Sequence, residues 1–186
     1  MEIRARRFNI YFGLAVLTLA ALLGGGCASP EKKKQEQLAA LRVHLEVAPD
    51  SSGLCAPVPI CRTDPVMVNV LKEPFLFEND VAAARVLPDP DGTFIIGLQL
   101  TQHGTWVLEN YTASNPGKRF AIFADWGVEG QNHRWLAAPK FKARITDGRL
   151  SFSPDLSHEE ADELVLGLNN LAIKEGNQEK PKKQKK

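Results

Sequence analysis

The sequence predicts an α+β domain of antiparallel strands and two helices, and three observations carry the prediction. Thr93 to Phe123 reads as strand, helix, strand. Two turn signals, Pro88-Asp89-Pro90-Asp91-Gly92 and Asp147-Gly148, each lie between runs of strand-forming residues, which is the pattern of β-hairpins. Ser157-His158-Glu159-Glu160 opens a long amphipathic stretch with a capping box.

The chain starts with targeting chemistry. Arg4, Arg6 and Arg7 precede an apolar run of 14 residues from Ile10 to Leu23. That run is shorter than the roughly 20 residues of a comfortable membrane span and fits an export signal. Arg6-Arg7 lacks the rest of a twin-arginine motif, so Sec export is expected. Leu23-Gly24-Gly25-Gly26-Cys27 looks like a bacterial lipobox, with Gly24 where an aliphatic residue is usual. Cys27 is then the lipid anchor, acylated as a palmitate-bearing mature N-terminus; an ordinary cleaved signal and a retained anchor are the alternatives. Residues 1–26 are read as signal peptide, 27–41 as a tether containing the polar stretch SPEKKKQEQ, 42–176 as the domain, and 177–186 as a disordered basic tail.

Within the domain, Arg42 to Val47 and Pro65 to Leu71 alternate as strands. His44 lies on the first of these and is expected to face solvent. Ala48 to Asp64 is rich in Pro, Ser and Gly and is read as a loop. Ala84 to Leu87 and Thr93 to Leu100 are hairpin partners across the Pro-Asp-Gly turn. Gly104, Val107, Leu108 and Tyr111 share one helix face. Asn115-Pro116-Gly117 stops that helix, because Pro lacks a donor and Gly tolerates positive φ. Arg119 to Phe123 resumes as a strand, and Ala124 to Ala138 is read as irregular. Phe141 to Ile145 and Arg149 to Phe152 are expected to pair across Asp147-Gly148. The last helix places Ala161, Leu164, Val165, Leu168 and Ala172 on one stripe and ends at Gly176.

Net charge is +1, but residues 27–173 carry 14 basic and 19 acidic side chains, near −5. The folded part therefore lacks the basic footprint of a nucleic-acid binder. With Cys27 acylated, Cys55 and Cys61 remain as an even pair around Ala-Pro-Val-Pro-Ile. In an oxidising periplasm they are candidates for a local disulfide; two free thiols are the alternative. The four histidines have no metal-ligand spacing, and no G-x-S-x-G elbow is present. Asp125 and Asp147 are candidates to converge as paired carboxylates, but each sits in a turn-like context where Asp is expected structurally. No enzyme activity, cofactor or metal is expected. Trp106, Trp126 and Trp135 are candidate partner contacts, forming either an exposed apolar patch or the edge of the core.

From Pro74 onward the chain resembles the head subdomain of the first periplasmic domain of SecD, part of the SecDF-type protein translocase. The resemblance rests on Pro74-Phe75-Leu76 with Asn79-Asp80-Val81; Leu98 to Leu100; Leu108-Glu109 with Thr112, Asn115 and Gly117-Lys118-Arg119; Phe120-Ala121-Ile122 with Asp125; Ala137-Ala138-Pro139; and Ile145-Thr146-Asp147-Gly148 before Ser157 to Leu168. It covers residues 74–172. It implies an α+β fold with two helices packed on one face of an antiparallel sheet. It also implies a binding role toward exported polypeptide or Sec components on the periplasmic side of the cell envelope. SecD-like proteins have several membrane spans and a base subdomain, so motor function is not carried over. The alternative function is a structural envelope lipoprotein or adaptor whose Lys-rich tail contacts anionic surfaces.

Overall fold

In this computed structural model the structure describes residues 36–178. The signal segment, Cys27, most of the tether and the end of the tail lie outside the described residues. The described residues build two three-stranded antiparallel sheets, a separate hairpin and two α-helices. The first sheet has the order β1 (Ala40–Leu45), β6 (Phe120–Trp126), β7 (Asn132–Ala137). The second has the order β4 (Val81–Pro88), β5 (Phe94–Leu100), β8 (Arg149–Phe152). The hairpin is β2 (Cys55–Ile60) with β3 (Val66–Leu71).

β6 is apolar at consecutive positions because both of its faces are covered. Phe120, Ile122, Ala124 and Trp126 join the main core, while Ala121 packs with Val58, Ile60, Val68 and Val70 of the hairpin. The main core also takes Leu41 and Val43 of β1, Ile96 and Leu98 of β5, and Leu150 and Phe152 of β8. Both helices pack into it, α1 (Gln102–Ser114) through Val107 and Leu108, α2 (His158–Lys174) through Leu164 and Leu168. Burying a leucine of this kind stabilises the fold by about 1.5–3 kcal/mol.

Helix ends follow the local chemistry. Thr101 caps α1 by accepting the Gly104 N–H at 3.1 Å. A Cβ at Gly104 would lie 2.8 Å from the Asp80 backbone oxygen, so glycine is what lets α1 approach the Glu78–Asp80 turn. α2 opens with the expected capping box: Ser157 Oγ accepts the Glu160 N–H at 3.2 Å, and the Glu160 carboxylate accepts the Ser157 N–H at 2.8 Å. Asn169 of α2 closes the free edge of β4, accepting the Ala84 N–H at 2.9 Å and donating to its C=O at 3.0 Å. No helix among the described residues is long and apolar enough to cross a membrane.

Several sequence expectations need correction. Ala48 to Asp64 is not all loop, since it contains β2. Pro57 and Pro59 point outward from the hairpin and remove donors only along its unpaired edge, while Val58 and Ile60 face in. Ala124 to Ala138 is a hairpin rather than an irregular segment, turned at Gly127 (φ 93°) and Gly130 (φ 68°) and closed by β7. Phe141 to Ile145 is not a strand, and Asp147-Gly148 does not turn a hairpin, because β8 pairs with β5 instead. His44 is buried at 7% exposure, since the β2–β3 hairpin covers its side of the first sheet. Gln37, Ala39 and Leu41, expected in the tether, are already buried, and Gln37 Nε2 donates to the Glu163 carbonyl at 3.0 Å.

Candidate functional site

Three strand ends meet around an open, largely apolar notch of about 490 Å³. Ile60 and Cys61 come from the end of β2, and Leu136 and Ala137 from the end of β7, followed by Ala138 and Pro139. Phe152 ends β8 and leads into Ser153, Pro154 and Asp155. The Asp155 N–H donates to the Leu136 carbonyl at 2.9 Å, which ties the two sheets together at this point.

A small ion-pair network sets the rim. The Arg62 N–H donates to Asp155 Oδ2 at 2.7 Å, and its guanidinium lies 3.2 Å from the same oxygen. Arg134 donates to the Asp155 carbonyl at 3.2 Å and to Glu160 Oε1 at 2.9 Å, with its guanidinium 5.1 Å over the Trp126 ring. Burial works to raise the Glu160 carboxyl, but the Ser157 N–H, Arg134 and Arg62 outweigh it and hold it below its ordinary range. Arg62 is half exposed, so its ion pair is worth at most about 1 kcal/mol. Its backbone bond to Asp155 counts for more in geometry, because it holds the preceding Cys61 at φ 71°. That left-handed backbone costs a non-glycine residue about 1–2 kcal/mol.

The notch is a surface for burying apolar groups, with a polar rim that remains wet. Asp155, the carboxylate among its lining residues, is occupied by Arg62. Among the described residues no three His, Cys, Asp or Glu gather where a metal ion could sit. Asp125 and Asp147 do not converge: one lies in β6, the other just ahead of β8 in the other sheet.

The sequence-predicted residues fall in different places. Cys27 lies outside the described residues. Cys55 and Cys61 are free thiols, so the expected disulfide is corrected. They stand at opposite ends of the extended β2, about 20 Å apart at 3.3 Å per residue, where a disulfide needs Cα atoms about 5.5–6 Å apart. The Cys55 thiol instead donates to Asp50 Oδ1 at 3.1 Å. The tryptophans form no common patch. Trp106 is 63% exposed on α1, while Trp126 is fully buried and cannot be a surface contact. Trp135 lies between His44 and Phe123, with ring centroids at 5.0 and 5.3 Å, beneath the hairpin. Trp126 and Trp135 therefore support the notch from behind, one through Arg134 and one through the hairpin that carries Ile60. Arg62, Arg134 and Asp155 were missed by the sequence reading. The only trace of them was arginine beside tryptophan in Asn-His-Arg-Trp.

Fold and notch define a class: an α+β module of antiparallel sheets and two helices that offers apolar surface at the seam between its sheets. Known proteins place it further. The family described as SecDF, P1 head subdomain, matches residues 58–174, so the chain belongs to that family. The match begins inside β2, earlier than the Pro74 at which the resemblance was read from sequence. The protein translocase subunit SecDF of Thermus thermophilus is 33% identical over 103 residues, which is 55% of this chain and 13% of that protein. This chain thus spans a small part of that relative. The structure described as a membrane component SecDF that enhances protein export superposes with a TM-score of 0.52 at 24% identity, covering 78% of this chain and 70% of that one. SecDF in its super-membrane-facing form gives 0.51 at 24% identity, covering 76% of this chain and 21% of that one. These likenesses establish the fold as SecDF head-like.

Proposed function

We propose that this chain is a lipid-anchored envelope module, held on the periplasmic side through acylated Cys27, that contacts exported polypeptide. The observation that carries the reading is an open apolar notch on a domain of the SecDF head family. An extended segment of an unfolded chain has apolar side chains to bury, and the notch has room for one or two. Exposed Trp106 is a second contact of the kind that dominates binding surfaces. SecDF itself is named a translocase subunit; its translocase activity is not part of this proposal.

The direct test is binding of the purified protein to a labelled, permanently unfolded polypeptide. Ala138→Trp, which fills the notch from a half-exposed wall position, should weaken binding at least tenfold, a change of about 1.4 kcal/mol, without lowering thermal stability. Unchanged affinity would reject the notch. Anchoring has its own test: Cys27→Ser should abolish acyl labelling and release the protein from membranes, and retained labelling would reject Cys27 as the anchor.

A further inference from the structure

Several cations gather on one paired segment of a body whose net charge is negative. Residues 36–178 carry 12 basic and 19 acidic side chains. The Gly117–Phe120 segment runs antiparallel to Pro139–Phe141. The Gly117 N–H donates to the Phe141 carbonyl at 2.7 Å, Phe120 N–H to Pro139 at 2.9 Å and Phe141 N–H to Lys118 at 3.2 Å. Arg119 sits directly opposite Lys140. By the alternation of an extended chain, Arg119, Lys140 and Lys142 share one side, and Lys118 stands beside Phe141.

Like charges placed opposite each other destabilise a strand pair, and this chain supplies little to offset them. Arg62, Arg134 and Arg144 have carboxylate partners. Lys118, Arg119, Lys140 and Lys142 have no ion pair among the described residues. Their acidic neighbour, Glu46, spends one oxygen on the Arg119 backbone N–H at 2.8 Å. Arg119, Lys140 and Lys142 on their shared side, less Glu46, leave a net charge near +2.

We propose that this ridge seats the domain on an anionic lipid bilayer. Lys140 and Lys142 are exposed on the side they share with Arg119, along a two-segment strip rather than a groove, which suits a flat partner. Acidic groups more than about 8 Å from the surface are screened at physiological salt. Each cation brought to such a surface strengthens binding about fivefold, so a net of two gives about 25-fold.

The proposal stands apart from polypeptide binding and needs no altered protein. The full chain is placed on vesicles of phosphatidylcholine alone, or with about 30 mol % phosphatidylglycerol, and its lysines are labelled with an amine reagent. Lys140 and Lys142 should label several-fold more slowly on the anionic vesicles, with Lys118 on the other side of the strip and Lys174 both unchanged, and about 0.5 M salt should erase the difference. Equal labelling on both vesicles would overturn the proposal. So would protection that appears on neutral vesicles only when an acidic polypeptide is added, which would assign the ridge to a protein partner.

Discussion

Trp126 and Trp106 make opposite predictions, and their contrast tests the reasoning about the site. Trp126 is fully buried in the main core and carries Arg134 on its ring face. Trp126→Ala removes the largest fully buried side chain of the domain. Large aromatic-to-alanine changes in a core cost about 3–5 kcal/mol, and the lost cation–π contact adds about 0.5–2 kcal/mol. A domain of this size is stable by about 5–15 kcal/mol, so about a quarter or more of its stability would go. At about 2–4 °C per kcal/mol, the melting temperature should fall by about 7–28 °C. Trp106→Ala should stay within about 0.5 kcal/mol of the parent, as surface changes do, while weakening binding to unfolded polypeptide. Thermal and urea unfolding followed by circular dichroism measure both. A Trp126→Ala protein as stable as the parent, or a Trp106→Ala protein as damaged as Trp126→Ala, would refute this assignment.

Three further outcomes follow from the same structure. Burial, with Arg42 adding to it, depresses the His44 pKa below its ordinary value of 6.5, although the Leu71 carbonyl 2.8 Å from Nδ1 and Glu73 act the other way. The unfolded chain then binds the proton more readily. His44 therefore contributes stability above about pH 6.5, and this is lost as pH falls from there through the folded pKa; His44→Gln should flatten stability between about pH 7 and pH 5 in urea melts. Asn169→Ala leaves the N–H and C=O of buried Ala84 without their partner. That should cost about 2–6 kcal/mol at about 1–3 kcal/mol per orphaned group, and a loss under about 0.5 kcal/mol would show that water replaces the amide. Both Cys55 and Cys61 should alkylate without reductant, the exposed Cys61 faster, as read by mass spectrometry; a pair that alkylates only after reduction would contradict the extended β2.

What was legible in the sequence was local. The Pro-Asp-Gly turn between β4 and β5, the stop at Asn115-Pro116-Gly117 and the Ser157 capping box act within a few residues, and each appears where it was read. β2 was hidden because prolines mask a strand unless its unpaired edge is known. β7 was hidden because Asn132, His133 and Arg134 face the rim and sheet edge, so its alternation is mostly polar. Nothing near Asp147-Gly148 reveals that β8 will pair with β5, some 50 residues earlier; only the shared core of Leu98 and Leu150 decides it. The notch is still less local. It needs the ends of β2, β7 and β8 together, and the bond from Arg62 to Asp155 spans 93 residues. Burial of His44 likewise depends on a hairpin layer that sequence alternation does not announce.

The notch is tested most directly by a photo-crosslinker in intact cells, placed at Ser153 on its rim and, as a control, at exposed Ser51 beyond the far end of β2. Polypeptide contact at the notch predicts that position 153 captures a range of exported proteins during secretion and position 51 captures few. Equal capture from both positions, or one defined envelope complex from position 153 with no exported chains, would contradict it.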